Sequence, residues 1–153
     1  MKVGQNRSTL ADNVITPRKL NTGAATAFVA TQQSTSTVGS FVDLATTGPS
    51  VTVTIGLNGL ALVCLYGSTM SNTATANNFI GFVASGANTI APAENLSVQT
   101  RLVDNVTTNA GCRIGETFLL TGLNQGSTTF KMQYKINAGV GHFLDRRITV
   151  IPL

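Results

Sequence analysis

The chain has 153 residues, enough for one domain with a sizeable core and a short appendage. Hydrophobic residues make up 42% of it, which excludes a chain disordered by composition, while charged residues make up only 10%, against about 25% in ordinary soluble domains. The net charge of +4 is concentrated in residues 1–20, where Lys2, Arg7, Arg18 and Lys19 stand against Asp12 alone. Threonine (23 residues), asparagine (13) and serine (10) take the place of the missing charges. So uncharged a surface keeps a protein in solution weakly, and much of it is expected to be buried against copies of the chain or a larger assembly.

In chain order, residues 1–27 read as an extended arm and linker, and residues 28–153 as the folded body. Val14, Ile15 and Leu20 are apolar points separated by polar ones, and Pro17 holds Thr16 in extended backbone. Arg18 and Lys19 add charge, and residues 21–26 form a small-residue linker. Polar residues follow Met1 and Lys2, so no secretory leader is expected. No apolar run is long enough to cross a bilayer, so no membrane insertion is expected. Four cations without interleaved aromatics are a thin nucleic-acid signal, and docking onto a protein surface is the expected use of the arm.

From Phe28 onward the pattern predicts about nine strands. The first are expected over 27–31, 40–44 and 50–55, the last with Val51, Val53 and Ile55 on one face. Asn58-Gly59 predicts a tight hairpin, since both positions tolerate positive φ. The return segment 60–66 is apolar on both faces, as in a central strand covered by a second sheet on one side and by a neighbouring subunit on the other. Further strands are expected over 78–83, 96–103, 116–121, 127–136 and 142–153. Phe130, Met132, Tyr134 and Ile136 alternate with Thr129, Lys131, Gln133 and Lys135, the period of a half-buried antiparallel strand. Residues 138–141 read as a glycine-rich hairpin turn. No useful amphipathic helix pattern appears, so the expected fold is all-β: an antiparallel sandwich, with a jelly roll the natural choice at this size.

Candidate chemistry is sparse. His142 is the single histidine, and alternation predicts that it and Asp145 point to opposite faces of the last strand. Asp43, Glu94, Asp104, Glu116 and Asp145 are scattered singly, not paired as a glycosidase requires. Glycine-rich pieces lack the Lys-Ser/Thr of a phosphate loop. No enzymatic activity, cofactor or metal is therefore expected. Cys64, in an apolar run, is expected to be a small core residue, and both it and Cys112 to be reduced thiols. Arg146 and Arg147 sit on adjacent strand positions: one should pair inward, with Glu116 or Asp104, and the other make a trimer or docking contact. The absence of Trp and the presence of only two Tyr disfavour a glycan receptor that works by stacking.

Several segments resemble bacteriophage proteins. Val14-Ile-Thr-Pro-Arg-Lys-Leu20 looks like the T-x-x-K-L linkers of tail-fibre and minor tail proteins. Phe28-Val-Ala-Thr31, the stretch from Asp43 to Ile55 and Gly59-Leu-Ala-Leu-Val63 resemble the start of a C-terminal domain common in them. The stretch from Thr121 to Ser127, with Tyr134-Lys135 and the stretch from Arg146 to Leu153, resembles its end. The resemblance covers roughly residues 14–153 and implies a C1q/TNF-like jelly roll that forms a homotrimer. Such domains usually end a long shaft, whereas these 153 residues contain no collagen-like repeat and no coiled coil. The expected function is therefore a virion structural protein: a trimeric capsid decoration protein or short head fibre whose arm (Val14, Ile15, Pro17, Arg18, Lys19, Leu20) binds other virion proteins such as the major capsid protein. The alternative is a receptor-binding tip or minor tail protein that reads the host surface with the loops 71–78, 84–94 and 104–111.

Overall fold

The computed structural model describes residues 23–73, 75–101 and 111–153. The arm residues Val14, Ile15, Pro17, Arg18, Lys19 and Leu20, and Asp104, lie outside the described residues. Nine strands are described: β1 Ala25–Val29, β2 Gln33–Thr35, β3 Ser50–Ile55, β4 Ala61–Ser71, β5 Asn77–Gly86, β6 Ser97–Arg101, β7 Gly111–Leu120, β8 Gly126–Ile136 and β9 Gly141–Pro152. A 3-10 turn, Glu94–Leu96, precedes β6.

The strands form two antiparallel sheets packed face to face. One has the order β1-β9-β4-β7, with β2 also on β9; the other has the order β3-β8-β5-β6. This is a jelly roll, as the alternating pattern predicts. The core lies between the sheets. Val51, Val53 and Ile55 of β3 and Phe130, Met132, Tyr134 and Ile136 of β8 meet Val63 and Leu65 of β4 and Phe143, Ile148 and Val150 of β9, all buried. Fully burying each such side chain is worth about 1.5–3 kcal/mol, so the period-two faces alone commit the chain to the sandwich. β1 begins at Ala25, three residues before the expected start of the body, and its backbone pairs with β9 from Ala25↔Val150 to Val29↔Arg146.

Four local expectations are corrected. Residues 40–44 make no strand. Val42 bridges Tyr134 singly, and the segment carries Leu44 into the core and Phe41 onto Gly81 and Phe79 of β5, on the outside of the four-stranded sheet. β2, by contrast, was not expected: three polar residues, Gln33–Thr35, carry no hydrophobic alternation. Asn58-Gly59 does turn the chain, with Gly59 at φ +62 and its N–H donating to Gly56 O at 3.1 Å. The strands it joins do not pair, however: β3 binds β8, whereas β4 binds β7 and β9. Residues 138–141 likewise carry the chain from β8 in one sheet to β9 in the other. Finally, Cys64 lies on the outer face of β4, half-buried and accepting a hydrogen bond from Thr117 Oγ1 at 3.5 Å, and so is not a core residue. Both cysteines are free thiols.

The sandwich has two distinct ends. The chain enters at Gly23, packed against Pro152, and leaves at Leu153, whose N–H donates to Leu60 O. The β3–β4 and β7–β8 turns sit at this entry end, where Leu123 N–H donates to Gly59 O at 3.0 Å; Asn88 lies there too, its Nδ2 donating to Asn124 O and Thr128 Oγ1 and its Oδ1 accepting from Asn124 N–H. At the far end the β4–β5 and β8–β9 turns meet, with Asn72 and Val140 joined by two hydrogen bonds. β6 ends and β7 begins there too, opposite Asn77 and Met70.

Candidate functional site

The feature that sets this sandwich apart is the outer face of its five-stranded sheet. Directly opposed residues on antiparallel strands project from the same face, so the register lists the rows that lie there. Near the entry end, Leu62, Leu119 and Ile151 form an apolar row. Cys64, Thr117, Thr149 and Thr26 form the next, the last two joined Oγ1 to Oγ1 at 2.8 Å. Tyr66, Arg147 and Phe28 follow, then Ser68, Leu144 and Arg113. No described segment covers this face: Phe28 is 49% exposed and Leu119 58%. The corresponding face of the other sheet carries Phe41 on Gly81 and Phe79.

A shallow cavity of about 350 Å³ opens in the middle of the face, lined by Phe28, Tyr66, Arg113, Asp145 and Arg147. Its geometry follows from a β-bulge. Tyr66 pairs with Arg147 but Ser68 pairs with Leu144, so β9 carries one extra residue there. Asp145 takes it up in the left-handed region, at φ +51. The bulge brings Asp145 out on the same face as Arg147, where it forms an ion pair with Arg113 at 3.6 Å. His142, opposite Met70 and Ser34, is on this face as well. The expectation that His142 and Asp145 face opposite ways is thus overturned by the bulge, which breaks the alternation between them. His142 Nδ1 lies 3.4 Å from Gln32 Nε2, a structural contact on the sheet edge.

The two arginines part as the alternation requires. Arg147 points outward, its guanidinium 5.0 Å from the centre of the Phe28 ring. Arg146 points inward and is fully buried. Its expected partner Glu116 is not the one it finds, because Glu116 lies exposed on β7. Carbonyls from the loops before β3 take that role instead. Arg146 Nη1 donates to Gly48 O at 3.2 Å and Thr46 O at 3.5 Å, and Nη2 to Thr31 O and Gln33 Oε1 at 3.4 Å each. Nη1 also reaches Tyr134 Oη at 3.4 Å, and that hydroxyl donates to Gly48 O at 2.9 Å. Burial pushes the Tyr134 hydroxyl up to about 12, against the opposing pull of the Arg146 charge.

Other charges are spent in exposed pairs: Lys131 with Asp43 at 2.7 Å, and Lys135 with Glu94. Among the described residues no three His, Cys, Asp or Glu side chains come together as metal ligands. No described helix is long and apolar enough to cross a membrane. What the face can do chemically is bind. Two ring surfaces, an apolar row and an outward guanidinium accept an apolar partner that brings a carboxylate.

No protein-family model and no curated protein matches the chain. Among solved structures it is similar to the Eiger TNF of S. frugiperda, at 13% identity over 85% of this chain and 91% of that one, with a TM-score of 0.50. It also aligns, at TM-scores of 0.43 and 0.39, with a chain of infectious bursal disease virus Gx strain (10% identity, 83% of this chain, 35% of that one) and the CBM22-1 xylan-binding domain of Paenibacillus barcinonensis Xyn10C (11% identity, 84% and 87%). The first likeness and the strand order together make this chain a TNF-like jelly roll.

Proposed function

We propose that this protein is a non-enzymatic structural protein of a bacteriophage virion, a trimeric capsid decoration protein or short head fibre. The observation that carries the reading is the uncovered outer face of the five-stranded sheet, which sets Leu62, Leu119, Ile151, Phe28 and Tyr66 on a chain with few charges to keep it monomeric. Self-association through that face buries it. Residues 1–27, with Val14, Ile15, Pro17, Arg18, Lys19 and Leu20, then anchor the trimer to other virion proteins such as the major capsid protein. The phage-like segments 14–20, 28–31, 43–55, 59–63, 121–127 and 146–153, with Tyr134-Lys135, support the virion assignment.

The position of the loops favours a second reading, a receptor-binding tail tip. Of the three loops expected to carry specificity, 71–78 and 104–111 are bounded by strand ends at the far end, away from where the chain enters. The loop after β5 is at the entry end, beside Asn124. One experiment separates the readings: labelled protein offered in parallel to host cells and to capsids stripped of it. Saturable capsid binding that is lost on deleting residues 1–22, which leaves β1 whole, is the expected result. Saturable binding to cells alone overturns the decoration role in favour of the tip.

A further inference from the structure

We propose that the cavity on the outer face of the five-stranded sheet binds a sugar acid, a small hydroxylated ring that carries one carboxylate. The site stands on its own residues; only its coupling to assembly rests on the trimeric reading above.

Charge sets the first requirement. Of the lining residues, Arg113 and Arg147 are cationic and Asp145 is anionic, which leaves the cavity one net positive charge. Asp145 is spent on Arg113, whereas Arg147 has no ion pair among the described residues. The Phe28 ring, 5.0 Å from the Arg147 guanidinium, holds that group in place without using its N–H donors. A guanidinium so held offers a carboxylate a planar, bidentate partner. One net charge matches a monoanion; a phosphate monoester would bring a second negative charge up to Asp145.

The remaining groups ask for hydroxyls. Asp145 meets Arg113 through Oδ2 alone, at 3.6 Å, so the carboxylate keeps most of its accepting capacity. The bulge sets it on this face at φ +51, two positions from Arg147, and re-aiming a side chain in this way is a common use of bulges. Tyr66, 37% exposed, adds a hydroxyl and a ring surface. A purely apolar carboxylate would pair with Arg147 but strip water from Asp145 and the Tyr66 hydroxyl without replacing it. A sugar ring instead brings hydroxyls to those two groups and a C–H face to the aromatic ring. The volume of about 350 Å³ is at the small end of ligand sites and suits a single ring. Burying Arg147 between copies with no anion beside it would leave an unpaired charge. The bound carboxylate removes that penalty, so ligand and self-association should strengthen each other.

The test is a chemical-shift titration of the isotope-labelled full chain at neutral pH. The probes are D-glucuronate, its neutral twin D-glucose, acetate and inorganic phosphate. Glucuronate should shift the signals of the cavity residues and bind about tenfold more tightly than any of the other three. R147Q should weaken glucuronate by about tenfold. D145G, a substitution that suits φ +51, should erase the advantage of glucuronate over acetate. Glucose or phosphate bound as tightly as glucuronate, or an R147Q variant equal to the wild type, overturns the site. Acetate bound as tightly as glucuronate by the wild type overturns the sugar ring as the ligand's body. In sedimentation, saturating glucuronate should lower the concentration at which the trimer half-dissociates, and a rise overturns the coupling. Glucuronate bound by a chain that stays monomeric overturns the trimeric reading and leaves the site. A trimer that binds no glucuronate overturns the site and leaves the trimer.

Discussion

Arg146 is the largest fully buried side chain described, and its hydrogen-bond partners include no carboxylate. Its role is to tie β9 to the loops at 31–33 and 46–48. Arg146→Met takes the donor from Thr31 O and Thr46 O, while Gly48 O keeps the Tyr134 hydroxyl and Gln33 Oε1 keeps the Thr46 N–H, and should cost roughly 2–3 kcal/mol in urea unfolding; Arg146→Lys should recover little, because one ammonium cannot reach the same spread of oxygens. Tyr134 beside it makes a pH prediction. Its hydroxyl ionises near 10 in the unfolded chain and about 12 in the folded one. The neutral form is therefore favoured on folding, and that stability is complete below pH 10 and lost as pH rises towards 12. The wild type should lose roughly 2–3 kcal/mol across that window beyond what Tyr134→Phe loses, measured by parallel melts. Of this cluster, the sequence revealed that one arginine faces in and one out. The acceptors stayed hidden because backbone carbonyls carry no side-chain signature, and those of Thr31, Thr46 and Gly48 sit in segments without alternation.

Among the elements, β8 was the most legible. One face is wholly core, Phe130 to Ile136, and the other carries Lys131 and Lys135 in exposed ion pairs, so hydrophobicity and backbone period agree. β9 was legible in its span but not in its bulge, since an extra residue leaves no mark in composition. Turn chemistry at Asn58-Gly59 located a reversal without telling which strands it joins, because the dipeptide specifies local φ and not sheet membership. The 40–44 segment misled because Phe41, Val42 and Leu44 are apolar for three different contacts rather than for one strand face. The bulge itself is testable. Asp145→Val forces a β-branched residue to φ +51 and should destabilise by about 1–2 kcal/mol, while Asp145→Gly should be close to neutral in the same urea titration.

For the molecule as a whole, the described body begins with β1, whose backbone pairs with β9. Deleting residues 1–22 should leave the melting midpoint within about 2 °C, since β1 and its five pairs with β9 remain. Extending the deletion through Val29 strips Ala25, Ala27 and Phe28 from the sheet and should cost about 2–4 kcal/mol. The architecture was readable from periodicity because most inward positions are apolar, with Thr69, Thr100, Thr128 and Arg146 among the exceptions. The uncovered face was readable only in part, as the two-sided apolar character of 60–66, since an exposed Leu in a sequence looks the same as a buried one. Gly23 packed against Pro152 carries a last consequence. A sandwich entered at Gly23 beside Pro152 should accept a short link between those two positions and an opening between Asn137 and Val140 without stretching either backbone. A permuted version opened there should regain the same two sheets, which would make the order of its strands along the chain incidental to the shape they build.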